Sequence, residues 1–191
     1  AGMDILPVIV TKDTLNYSGD EKNIGKNGIE DIVMEFVRPH NCDSAKLIIR
    51  AKNSFWLDVL FTKFHKLFGE RYNIFTAKQE SLPGEKLNKF LLDQKIPLSV
   101  YIEREGKWQY ADYFNIAGPM ALRDDILPLN LAVISSDTIK LKLETGFLFW
   151  EVDYAGMDFS RNETCIPELV SANSALDKTG RPDPPVQGEL G

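Results

Sequence analysis

A chain of 191 residues with 43% hydrophobic and 26% charged residues can build one good hydrophobic core, read here as a single domain over residues 1–165 with a tail over 166–191. Its 22 Lys and Arg against 28 Asp and Glu give a net charge of -6, and with no basic run to segregate charge this argues against nucleic acid or an anionic membrane as partner. No stretch approaches the ~18 consecutive apolar residues of a membrane span, and the opening Ala1-Gly2-Met3 is expected of a processed or extended start, which would leave a removed leader invisible.

In chain order, residues 5–10 form the first apolar, β-branched stretch and are predicted to be a strand. In Ile29–Val37, Ile32, Met34 and Phe36 recur at every second position, the pattern that puts one strand face in a core and the other in water. Beyond a loop containing Pro39 and Asn41, Leu47, Ile49 and Ala51 alternate with Lys46, Ile48 and Arg50, predicting the next strand. From Phe55 the spacing changes: Leu57, Phe61, Phe64 and Phe68 fall on one face of a helix. Asn53 or Ser54 is placed to cap it, Asp58 lies in its early turns, and Gly69 supplies a stop. A shorter helix is predicted after Pro83-Gly84, where Leu87, Phe90 and Leu91 keep helical spacing up to Lys95, whereas 72–79 is ambiguous.

Leu98, Val100 and Ile102 make another strand, which Glu105-Gly106 turns into a hairpin partner with Trp108, Tyr110, Asp112 and Phe114 on one face. Residues 126–133 add a strand that Pro128 confines to an edge or a bulge. Ile139, Leu141 and Leu143 then alternate with Lys140, Lys142 and Glu144, and Thr145-Gly146 reads as a turn. The following stretch, 147–159, puts Leu148, Trp150, Val152 and Tyr154 on one face and Phe149, Glu151 and Asp153 on the other. These last two strands are predicted to pair antiparallel. Roughly eight strands, with a helical insert near residues 54–95, predict a mostly β fold, an antiparallel β-sandwich of jelly-roll-like form; an open α+β sheet covered by the helices is the alternative. No internal repeat points to a solenoid or propeller.

The common cofactor and hydrolase motifs are absent, and no cofactor is expected: there is no Gly-x-Gly-x-x-Gly, no phosphate loop, no His-Glu-x-x-His, no Gly-x-Ser-x-Gly and no Cys-x-x-Cys. Of the two histidines, His65 flanks the phenylalanine face near Asp58 and Glu70 and is read first as structural, as is His40. Cys42 and Cys165 either form one long-range bridge or remain two thiols. Asn16-Tyr17-Ser18 and Asn162-Glu163-Thr164 fit the glycosylation acceptor pattern. Glu151 and Asp153, two apart on a strand, form a candidate carboxylate pair or a set of calcium ligands, with a solvated, lysine-balanced face as the simpler reading.

The aromatic residues bear more on function. Trp108, Tyr110 and Phe114 alternate as a core face does, so packing is the first reading of these rings. The second is a ligand site of Trp108, Tyr110, Asp112 and Tyr113, because flat rings stack on sugar C–H faces while neighbouring polar groups fix hydroxyls. The order of elements, with the alternating strand Thr138-Ile139-Lys140-Leu141-Lys142-Leu143-Glu144 and the aromatic final strand, resembles the galactose-binding-like jelly rolls. That class includes many carbohydrate-binding and adhesion domains of secreted bacterial proteins. The resemblance covers residues 5–160 and implies no particular site residue. The expectation is a non-enzymatic binding or interaction domain of an extracytoplasmic protein, periplasmic or secreted, that contacts glycan or protein. A hydrolase using Asp112, Glu151 or Asp153 and a structural module of a larger chain are the alternatives.

Overall fold

The computed structural model describes residues 3–19, 27–132, 134–161, 166–174 and 176. The chain divides into a unit ending at Ser160 and a C-terminal unit from Arg161. In the described part of the second, Ile166, Leu169, Val170 and Leu176 are exposed. Cys165 and the Asn162-Glu163-Thr164 sequence lie outside the described residues, as does the Pro-rich end of the tail.

Among the described residues seven strands form two antiparallel sheets, consistent with a β-sandwich. The four-stranded sheet orders β1 (Ile29–Val37), β6 (Thr138–Gly146), β3 (Leu98–Arg104) and β4 (Lys107–Phe114). The three-stranded sheet orders β5 (Arg123–Asn130), β2 (Ser44–Asn53) and β7 (Trp150–Asp158). The period-two residues meet in one core: Ile32 and Met34 from β1, Leu141 and Leu143 from β6, and Leu47 and Ile49 from β2 are all buried in it. Pro128 sits on β5, an edge strand, where a missing N–H is tolerated. The predicted β3–β4 hairpin forms, with Glu105 and Gly106 both at positive φ in its turn.

Four expectations are corrected. Residues 5–10 hold a short helix, α1 (Leu6–Ile9), because Pro7 has no N–H to give a ladder and suits a first helical turn; Ile9 still reaches the core. The last two strands do not pair: β6 and β7 lie in different sheets, and the chain crosses between them through 147–149 with Leu148 at φ 58. Trp108 and Tyr110 are not core residues but are 38% and 49% exposed, leaving Phe114 as the ring of β4 that enters the core. Tyr154 does not share a face with Val152, because the β2–β7 register slips between Arg50 and Ala51 and Asp153 is the extra residue.

The helical insert follows β2. Ser54 is the N-cap of α2 (Phe55–Lys66), its hydroxyl accepting from the Leu57 N–H at 3.3 Å. A 3₁₀ turn over Gly69–Arg71 leads to α3 (Tyr72–Glu80), the stretch whose pattern is ambiguous, and α4 (Gly84–Asp93) follows Pro83. Leu57 is the one residue of these helices that is buried. The phenylalanine face closes on the insert itself, with Phe68 stacked on Phe75 at 4.1 Å and Phe64 edge-on to both.

Buried Asn53 joins the insert to the sandwich. Its Oδ1 accepts from the N–H groups of Ala117 and Gly118 at 2.8 and 2.9 Å, and its Nδ2 donates to the Phe149 carbonyl at 3.4 Å. Ser54 donates from its N–H to Phe149 O at 3.0 Å and from its hydroxyl to Leu148 O. Asn53→Ala strands two N–H donors in the interior, and urea unfolding is expected to show a loss of about 3 kcal/mol. A loss below about 1 kcal/mol, the scale of a single ordinary hydrogen bond, would contradict this account.

Candidate functional site

The candidate site is the outer face of the four-stranded sheet. Along β3 and β4 the register pairs Val100 with Asp112 but Tyr101 with Tyr110, so Ala111 is an extra residue on β4. A bulge of this kind reverses the parity of every residue beyond it. Simple alternation places Tyr113 opposite in sense to Trp108 and Tyr110; the bulge brings all three to one face, opposite Ser99, Tyr101 and Glu103. Tyr101, which the sequence reading passed over, sets its ring edge-on to Tyr110 at 5.7 Å. The signal was present in its odd position between buried Val100 and Ile102. Asp112 moves to the other parity, opposite Val100, and its carboxylate accepts from the Tyr113 N–H at 2.9 Å.

The charged residues of β1, β3 and β6 share this outer face and neutralise one another. Lys142 lies 4.6 Å from the centre of the Tyr101 ring and 5.8 Å from that of Trp108, and it pairs with Glu144 at 2.5 Å and Asp31 at 3.8 Å. Glu144 also accepts from Lys95 at 2.6 Å and from the Tyr101 hydroxyl at 3.2 Å. Lys140 bridges Glu35 at 3.4 Å and Glu103 at 3.6 Å. Burial, and then the neighbouring Asp112 carboxylate, pushes the Tyr110 phenol up, so it remains a hydrogen-bond donor at neutral pH. The result is an aromatic strip edged by fixed, mutually compensated polar groups.

The other candidate groups are not gathered in one cleft. Asp153, the bulge residue of β7, is fully buried; it accepts from the Thr14 and Asp13 N–H groups at 2.7 and 3.3 Å and faces the Arg50 Nε at 3.3 Å. Glu151 remains on the outer side of the three-stranded sheet, paired with Lys52 at 3.1 Å. The proposed carboxylate pair is therefore split, and Asp112 lies in the other sheet. His65 packs its ring against Tyr72 at 5.0 Å, within the aromatic cluster of the insert. Half-buried Cys42 approaches the backbone carbonyl of His40, not its ring, at 3.9 Å. The Asn16 amide donates to Glu151 at 3.4 Å. Among the described residues no three His, Cys, Asp or Glu side chains converge as metal ligands, and no helix is long and apolar enough to cross a membrane.

Hollows lie beside this face and away from it. An apolar groove of about 190 Å³ runs between α2 and α4, lined by Leu57, Phe61, Phe64 and Phe90. A polar hollow of about 470 Å³ at the β3–β4 hairpin is lined by Glu103, Arg104, Gln109, Ser136 and Lys140, and so touches one end of the outer face.

The ion cluster makes the face sensitive to acid. Burial opposes ionisation of Glu144, but hydrogen bonds from Lys142 and Lys95 overcome it and hold the carboxyl below its usual range. A depressed carboxyl stabilises the fold fully above its unfolded pKa of about 4.3, and the contribution is lost as pH falls through the folded value. Asp158 is held at about 2 by the Ser160 N–H and hydroxyl, then by Lys46, and acts in the same direction over a lower window. Glu144→Gln is expected to cost about 2 kcal/mol at pH 7, part of the pairing being screened where Lys95 meets solvent. Urea unfolding followed from pH 7 to pH 3 should show a shallower acid loss for the variant than for the parent. Equal slopes would mean that Glu144 is not depressed.

No protein-family model, curated protein or solved structure matches this chain.

Proposed function

We propose that the protein is a non-enzymatic binding domain that holds carbohydrate on the outer face of its four-stranded sheet. The observation that carries this reading is the gathering of Trp108, Tyr110 and Tyr113 on one face with Tyr101, the first two well exposed. Rings of this kind offer apolar area at low conformational cost, and on a soluble surface they need a reason to face water. Sugars present both flat C–H faces and hydroxyl groups. The strip supplies rings for the former, with Glu103, Lys140 and Lys142 beside it for the latter.

The same proposal takes the sandwich as a variant of the galactose-binding-like jelly roll. Its support is that the chain changes sheet at every connection except the β3–β4 hairpin. An extracytoplasmic location belongs to this reading, since glycans of that kind are met outside the cytoplasm.

The test is a glycan array probed with the intact chain, followed by titration of the best ligands. Binding without turnover is expected, with Trp108→Ala and Tyr110→Ala each lowering affinity about tenfold, the effect of removing a central aromatic contact. Both are exposed, so thermal melts of the variants should stay close to the parent. Hydrolysis of a bound oligosaccharide, or full affinity in the double variant, would overturn the proposal.

A further inference from the structure

Where the aromatic strip meets the helical insert there is a cavity of about 340 Å³, lined by Leu92 and Asp93 at the end of α4, Lys95, Ser99 and Tyr101 of β3, and Tyr110 of β4. Ser99 is only 2% exposed and is among the residues that line this hollow. Lys95 is also set in place. It adopts φ 56, a conformation that costs a non-glycine residue, and is pinned there by its carbonyl accepting from Thr145 Oγ1 at 3.1 Å and Gly146 N at 2.8 Å. Its ammonium is directed by Glu144, which raises its pKa and keeps it charged.

We infer that this cavity is a subsite for the terminal unit of a neutral oligosaccharide, whose next unit lies over Tyr110 and Trp108; the inference rests on the reading of the outer face as glycan-binding. The charges around it are already compensated, Lys95 by Glu144 and Asp93 by Lys89 at 3.0 Å. An ionic ligand would have to displace one of these pairs, whereas a polyol adds hydrogen bonds to both and to the Ser99 hydroxyl. The volume is near the lower end of the range for small-molecule sites, about 300 to 1,000 Å³, which gives room for one ring. The end of α4 walls one side. The rest of the ligand therefore leaves along β4, where Tyr110 and Trp108 are about 6.7 Å apart at two strand rises.

The experiment titrates the full-length chain with neutral oligosaccharides of two to six units and, by ligand-observed NMR, with the methyl glycosides of their constituent sugars. One methyl glycoside is expected to bind and to compete with its oligosaccharide. Ser99→Ala and Asp93→Asn should each weaken both ligands about three- to tenfold, the worth of one hydrogen bond. Trp108→Ala should weaken the oligosaccharide and leave the methyl glycoside unchanged. Asp93 is exposed, so its variant keeps the test decisive if Ser99→Ala proves unstable. If oligosaccharides bind and depend on Trp108, but no methyl glycoside competes and neither cavity variant changes affinity, the terminal subsite is wrong and the glycan face stands. If no oligosaccharide or methyl glycoside binds, both fall.

Discussion

The structure turns on the buried junction at Asn53 and Ser54, where a strand ends, a helix begins and two other loops are fastened. Asn53 satisfies the N–H groups of Ala117 and Gly118 and donates to Phe149, so the 117–118 loop and the 147–149 crossover meet on one amide. Ser54 caps α2 and also donates to Leu148 and Phe149. The other end of the insert is held by the same neighbourhood, since the Trp150 indole N–H donates to the Ile96 carbonyl at 2.9 Å. The insert is thus clamped at both ends by residues 148–150. Its helices need bury little in the sandwich to have a fixed place on it, which accounts for how few of their residues are fully buried.

That clamp decides what the outer face becomes. It sets the end of α4 and Lys95 beside β3 and β4, so the aromatic strip has a wall at one end. The face itself is made by a single extra residue, Ala111, which rotates Tyr113 into line with Trp108 and Tyr110. A second bulge in the other sheet does something different with the same geometry. At Asp153 it turns a carboxylate inward, and the buried charge is tolerated because two backbone N–H groups and Arg50 surround it. The contact holds the segment around Thr14 against β7, and the reciprocal bridge of Tyr17 with Val152 continues it.

Electrostatically the outer face is closed on itself. Lys142 serves Glu144, Asp31 and the rings of Tyr101 and Trp108 at once, and Lys140 serves Glu35 and Glu103. Such a network holds its side chains in one arrangement and leaves no strong net field. A surface of that kind favours ligands that add hydrogen bonds and apolar contact over ligands that bring charge.

The local pattern of residues was enough to determine the strands of the two sheets and the helices α2 and α4, though not α1 or α3, because burial of one face imposes period two or a helical spacing wherever the chain has a core to face. Ile139, Leu141 and Leu143 read correctly for this reason, as did the start of α2 and the hairpin at Glu105-Gly106. Alternation failed at Ala111 and Asp153, since a bulge leaves no mark in composition and is decided by the partner strand's register. It failed for β6 and β7 because adjacency in sequence does not say whether a turn folds a strand back on its neighbour or across to the facing sheet. The rings of the candidate site were therefore visible as residue types from the start. That Trp108, Tyr110 and Tyr113 share a face with Tyr101, and that Ser99 and Lys95 stand beside them, followed only from tertiary contacts that pair positions far apart in the chain.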